Sequence, residues 1–256
     1  MGSEFFTSSR FGQCVSLNSL RSYLAEFIST FLFVFATVGA GMASRKLVPA
    51  TTSDPSSLVG VAVACAFSLS TSVFISASIS GGHVNPAVTF GMAVGGHINI
   101  PTTIFYWISQ IFGSTAACIV LRTMTVGQHI PAYPLPPEMT GFGAAVLEGI
   151  MTFGLVYTVY AAGDPRRGNF GVIGPLMIGL IVGANVLASG PFTGGSMNPA
   201  LSFGAAMAGG SFRNQAVYWV GPLIGAAVAG LLYQNVMRPS GSPGDPSRGG
   251  VSEVGV

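Results

Sequence analysis

Apolar side chains gather along this chain in six long stretches, at about 20 to 43, 58 to 79, 102 to 124, 140 to 162, 171 to 190 and 214 to 237. About 20 helical residues, each rising about 1.5 Å, cross a hydrocarbon core roughly 30 Å thick, so every stretch predicts a transmembrane helix. Tyr23 to Ala43 carries one charged side chain, Glu26. The apolar region of a secretory leader is shorter, about 7 to 15 residues, and no small-residue cleavage site follows a basic start, so the first span is expected to be retained. Polar or Gly/Pro-marked joints separate the spans, among them 45–57, 126–138 and the turn Asp164-Pro165-Arg166-Arg167-Gly168. Six crossings place both termini on one face.

Two further apolar stretches are too short to cross. Each is about eight to ten residues long and follows an Asn-Pro-Ala triplet, and the segments around the triplets repeat. Ser80-Gly-Gly-His-Val-Asn-Pro-Ala-Val-Thr-Phe-Gly91 aligns with Thr193-Gly-Gly-Ser-Met-Asn-Pro-Ala-Leu-Ser-Phe-Gly204 at an offset of 198 − 85 = 113. Tyr106, Trp107 and Gly113 answer Tyr218, Trp219 and Gly225, while Glu26, Thr30 and Phe31 answer Glu148, Thr152 and Phe153. Each half therefore holds three spans and one motif loop. An odd number of crossings turns the second copy upside down relative to the first, the inverted-topology plan of many membrane transport proteins.

The pattern predicts an all-α membrane protein with six transmembrane helices plus two re-entrant half-helices in an inverted repeat. Its parts are an N-terminal arm at 1–19, a first repeat at 20–124, a connecting loop at 125–139, a second repeat at 140–237 and a tail at 238–256. The Pro, Gly and Ser content of that tail predicts disorder.

Asn is a favoured N-cap and Pro a favoured first helical residue, so Asn85-Pro86-Ala87 and Asn198-Pro199-Ala200 each predict the start of a short helix. Non-helical backbone at membrane depth is tolerated only where protein buries it or a wet cavity adjoins it. Both loops are thus expected to dip in from opposite faces and meet at the midplane. Two helix N-termini would then converge there, each equivalent to roughly half a positive charge, which repels cations and protons. The amides of Asn85 and Asn198 can donate to passing water, and the carbonyls of Ser80 to His83 and Phe192 to Ser196 can accept along the approach.

Composition agrees, with 7% charged residues against roughly 25% in soluble domains. The net charge of +2 says little about partners, and no nucleic-acid partner is expected. Cys14, Cys65 and Cys118 are widely spaced, which argues against a metal cluster or a disulfide framework. No nucleophile–base pair, metal-ligand spacing or phosphate loop marks an enzyme, and no cofactor is implied. With the N-terminus inside, the inner face collects Arg10, Arg21, Arg166, Arg167, Arg238 and Arg248, against Arg45, Lys46, Arg122 and Arg213 outside.

At these residues the chain resembles the aquaporins, and the likeness runs from about Leu20 to Met237. Gly183-Ala184-Asn185-Val186-Leu187 and Gly190-Pro191-Phe192-Thr193-Gly194-Gly195-Ser196-Met197-Asn198, preceded by Asp164-Pro165-Arg166-Arg167-Gly168, are similar to plant tonoplast intrinsic proteins, especially their divergent fifth subgroup. The resemblance implies a homotetramer in the lipid bilayer with one pore per subunit. It also implies a vacuolar (tonoplast) or other internal membrane, with both termini cytoplasmic.

It further implies a four-residue selectivity constriction, which falls by distance from the motifs on Cys65, Val186, Gly195 and Leu201. Most water-selective members carry Arg at the last of these positions and His at one of the first two. This chain has neither, so a wider and less polar opening is expected to pass urea, ammonia, glycerol or hydrogen peroxide beside water. Glu26 and Glu148 are costly ionisable groups inside spans, and the resemblance assigns them to support of the re-entrant loops. They are also the one feature that would serve the alternative function, an ion- or proton-coupled solute carrier. Gly221, Gly225 and Ala229 suit close helix packing.

Overall fold

The computed structural model describes residues 15–47, 55–126, 128–131, 133–167 and 173–238. Residues 1–14 of the arm, with Cys14, and the tail beyond Arg238 lie outside the described residues. Among the described residues every regular element is helical. The chain runs through α1 (Leu17–Leu47), α2 (Pro55–Ser80), the short α3 (Pro86–Val94), α4 (Ile100–Met124), α5 (Gly141–Ala162), α6 (Ile173–Thr193), the short α7 (Pro199–Gly209) and α8 (Val217–Leu232), which ends in a π-helical turn, Tyr233–Met237. Six of these are long and apolar enough to cross a membrane.

The helices are apolar all round, but side-chain size is distributed inside out. Phe67, Phe74, Phe112, Ile150 and Ile224 face outward, whereas Ser72, Ser76, Ser114, Thr152 and Ser189 are buried. Lipid is as apolar as leucine, so bulky aliphatic side chains gain nothing by turning inward. Helices in a membrane associate instead through small residues and hydrogen bonds. A Cβ on Gly113 of α4 would lie 2.4 Å from the Phe27 carbonyl of α1, and one on Gly225 of α8 would lie 2.0 Å from the Gly149 carbonyl of α5. Gly221 abuts Ala145 in the same way, so the small-residue run of the last span packs against α5. At the centre α2 crosses α6, where Gly179 meets Ala66 and Ser70.

The pairings follow the repeat. α1 packs on α2 and α4, and α5 packs on α6 and α8. Each short helix docks across the boundary between halves, α3 on α8 and α7 on α4. This exchange ties the halves into one body and aims both short helices inward. Where α5 ends, Asp164 accepts from Arg166 and from the Tyr233 hydroxyl at 2.7 Å, pinning the α5–α6 connection to the end of α8. The Arg166 guanidinium, helped by Tyr233, holds the Asp164 carboxyl well below the usual carboxylate range.

Candidate functional site

The two pore loops have the same backbone. After α2, Gly81 and Gly82 take φ of 91° and 68°, and Val84 follows at 57°. After α6, Gly194 and Gly195 take 84° and 63°, and Met197 follows at 52°. Positive φ suits glycine but strains Val84 and Met197, at a cost of order 1–3 kcal/mol each. A buried carboxylate over-determines each turn. Glu26 Oε1 accepts from Ser80 Oγ (2.6 Å) and His83 N (2.9 Å), and its Oε2 from Val84 N (2.7 Å) and Gln110 Nε2 (2.8 Å). Glu148 Oε1 accepts from Thr193 Oγ1 (2.7 Å) and Ser196 N (3.1 Å), and its Oε2 from Met197 N (2.6 Å). Both glutamates are fully buried.

Asn85 caps α3 by accepting from Ala87 N at 2.8 Å, and Asn198 caps α7 by accepting from Ala200 N at 3.0 Å and Leu201 N at 3.3 Å. Because each Oδ1 faces a backbone donor, the orientation of both amides is fixed. Each then reaches across: Asn85 Nδ2 donates to Met197 O at 2.8 Å, and Asn198 Nδ2 donates to Val84 O at 3.0 Å. This reciprocal clasp joins the strained residue of each loop to the cap of the other. It brings two helix N-termini, with their first N–H groups, to one place.

A narrow cavity runs past the clasp. Its lining combines the polar loop residues Gly82, His83, Asn85, Ser196 and Asn198 with the apolar Phe33, Leu69, Val73, Leu155 and Val182. Cys65, Val186 and Leu201 lie outside this cavity in the main buried apolar cluster. Gly195 sits against Val186, whose Cα would be 3.1 Å from a Cβ at that glycine.

Each asparagine spends one amide N–H on the clasp and keeps the other, which leaves the expected single donor per amide. One expectation is corrected, that of the carbonyl approach, which is shorter than expected. Phe192 and Thr193 belong to α6, and Thr193 O accepts from Tyr218 Oη at 2.9 Å; likewise Ser80 ends α2, and its carbonyl accepts from Tyr106 Oη at 2.8 Å. The loop acceptors that remain are Gly81, Gly82 and His83 in one half, and Gly194, Gly195 and Ser196 in the other.

Sequence reasoning missed Tyr133 of the connecting loop. Its ring would lie 2.6 Å from a Cβ on Gly194, and its carbonyl accepts from Tyr218 Oη at 3.0 Å. Burial, reinforced by the nearby Cys65 and Glu148, pushes its phenol well above the ordinary range. An aromatic flanked by Pro131 and Pro134, in a loop that proline stiffens, was the available signal. Asn185, beside Val186, was also passed over as a site residue. Its Nδ2 donates to Met151 O at 3.1 Å and contacts Met197 Sδ at 3.2 Å, bracing the second loop.

Comparison with known proteins agrees with this architecture. The chain is 58% identical over 232 residues to "Probable aquaporin TIP5-1" of Arabidopsis thaliana, covering 91% of each protein. It is 57% identical over 231 residues to "Aquaporin TIP2-1" of the same plant, covering 90% of this chain and 92% of that one. The crystal structure of the aquaglyceroporin from Plasmodium falciparum shares the fold, with a TM-score of 0.70 at 22% identity over 86% of this chain and 97% of that one. Residues 13–233 match the family described as Major intrinsic protein, and with these relatives the match establishes that the chain belongs to that family.

Proposed function

We propose that the cavity past the asparagine clasp is a passive pore that conducts water and small neutral solutes and rejects protons and ions. The observation that carries this is the reciprocal bonding of Asn85 to Met197 O and Asn198 to Val84 O. It faces two positive helix ends toward each other, and each amide keeps one N–H to offer a solute oxygen. Water held there points its hydrogens outward, toward the loop carbonyls on either side. A cation at the same place meets both helix ends.

Glu26 and Glu148 serve as loop supports in this reading. A coupled carrier needs a membrane acid that binds and releases an ion, and both carboxylates are already engaged by the loops they hold. Cys65, Val186, Gly195 and Leu201 form the constriction on the side of the second loop, with Tyr133 beside it. No fixed charge occupies these four positions, so urea, ammonia, glycerol and hydrogen peroxide join water as permeants. The subunit assembles as a homotetramer in the tonoplast or another internal membrane with both termini cytoplasmic; the names of the relatives and the excess of arginine on that face support this placement.

Stopped-flow light scattering on proteoliposomes tests the function. Non-saturating water, urea and glycerol fluxes with a low activation energy are expected. Saturable flux that depends on a proton or sodium gradient would favour the carrier.

A further inference from the structure

Among the described residues, four buried side-chain polar atoms have no protein hydrogen-bond partner: Thr30 Oγ1, Gln110 Oε1, Ser114 Oγ and Thr115 Oγ1. All four lie on α1 and α4. The repeat-related pair, α5 and α8, contributes none. At the corresponding positions Thr152 donates to the Glu148 carbonyl at 2.7 Å, and Pro222, Ala226 and Ala227 replace Gln110, Ser114 and Thr115. One copy of the interface has therefore kept polar groups that the other lacks.

Their placement follows from contacts already given. Gln110 donates to Glu26, and Gly113 abuts Phe27 and Phe31, so α1 and α4 run in parallel with matching levels. Thr30 is one turn beyond Glu26 and Ser114 one turn beyond Gln110, which puts both at the next level, where the Ser114 hydroxyl also turns to α7 and would lie 2.1 Å from a Cβ on Gly204. Thr30, Gln110 and Ser114 are wholly buried.

We propose that ordered internal water lies at this level between α1, α4 and α7, held by Thr30 Oγ1, Gln110 Oε1 and Ser114 Oγ. A buried water typically makes about three hydrogen bonds to groups that would otherwise be unpaired, and it can both accept from a hydroxyl and donate to an amide oxygen. The partners select a neutral ligand. A cation would need a carboxylate with spare capacity, and Glu26 already accepts four donors. An anion would need a cation, and no Arg or Lys lies within α1 or α4 at this level. None of the three residues lines the cavity past the clasp, and the water adjoins the network that holds Val84 in its strained turn.

The test combines density with the sign of a stability change, using the full-length protein in lipid nanodiscs. An experimental structure resolved well enough to show ordered water is expected to place a peak within hydrogen-bond distance of at least two of the three atoms. Thr30→Val and Ser114→Ala, which remove a hydroxyl at nearly constant volume, should each lower the melting temperature by about 2–4 °C. Dry, unsatisfied hydroxyls would give the opposite sign, because deleting an unpaired buried polar group is neutral or stabilising. A rise or no change in melting temperature overturns the proposal. So does a structure in which both hydroxyls donate to carbonyls of their own helix with no water peak between them.

Discussion

In the first pore loop Glu26 collects four donors, from Ser80, His83, Val84 and Gln110; in the second, Glu148 collects three, from Thr193, Ser196 and Met197. Beyond the carboxylates the halves diverge. His83 Nδ1 lies 3.1 Å from Thr89 Oγ1, which Gln110 also reaches, and Trp107 donates to Pro86 O at 2.9 Å. In the other half Ser196 turns its hydroxyl to Asn198 O, Asn185 braces Met197, and Pro222 stands where Gln110 stands in the first. What repeats is the backbone, the carboxylate under it and the asparagine that caps and crosses. What varies is the packing behind. The clasp needs both loops to present the same atoms at one point, whereas the groups holding each loop from outside need only fill and satisfy their own surroundings.

The largest expected effect comes from removing that common element. Gln in place of Glu loses charge and turns an N–H toward donors, so Glu26→Gln should destabilise by about 3 kcal/mol and Glu148→Gln by about 2 kcal/mol, in the order of donors stranded. Thermal melting in nanodiscs measures both, and equal losses would mean that the extra donor on Glu26, Gln110, contributes nothing. Next is Leu201→Arg, which introduces charge beside the second loop. A held guanidinium fills the opening but offers donors that a single water can use, so urea and glycerol permeability should fall at least about tenfold and water less than about threefold. Equal proportional losses in a well-folded variant would remove Leu201 from the size and polarity filter.

Smaller changes separate the aromatic supports. Tyr106→Phe and Tyr218→Phe each delete a phenol that satisfies a helix-end carbonyl, at about 1 kcal/mol apiece. Only Tyr218 also holds the Tyr133 carbonyl, so Tyr218→Phe alone is expected to alter relative urea and glycerol permeability. Matching solute profiles from the two variants would show that Tyr133 does not bear on the constriction.

Much of this arrangement is legible in the chain. Span lengths, the Asn-Pro helix starts and the 113-residue offset are local or periodic signals, and the helices begin and end within a few residues of the apolar stretches. The two membrane glutamates stand out because charge is costly in lipid. The clasp, however, joins residues 112 and 114 apart, and Tyr133 meets Gly194 through the fold of a loop that has no periodicity. Asn185 reads as one more residue of an apolar helix until its partners on α5 and the second loop are seen. Such pairings depend on how helices cross, which neither propensity nor spacing encodes.

The central claim is that opposed helix ends at the clasp exclude cations, and paired substitutions at Asn85 and Asn198 test it most directly. Serine keeps an N-cap acceptor without charge, while aspartate adds a carboxylate that offsets the positive ends; both lose the amide that crosses to the other loop. The measurement is patch-clamp current carried by monovalent cations, normalised to folded protein in the membrane. Asn85→Asp and Asn198→Asp should pass cation current well above wild type, while Asn85→Ser and Asn198→Ser stay near background. Aspartate variants that fold, conduct water and remain at the wild-type background would contradict the electrostatic barrier, as would serine variants that leak as much as the aspartates.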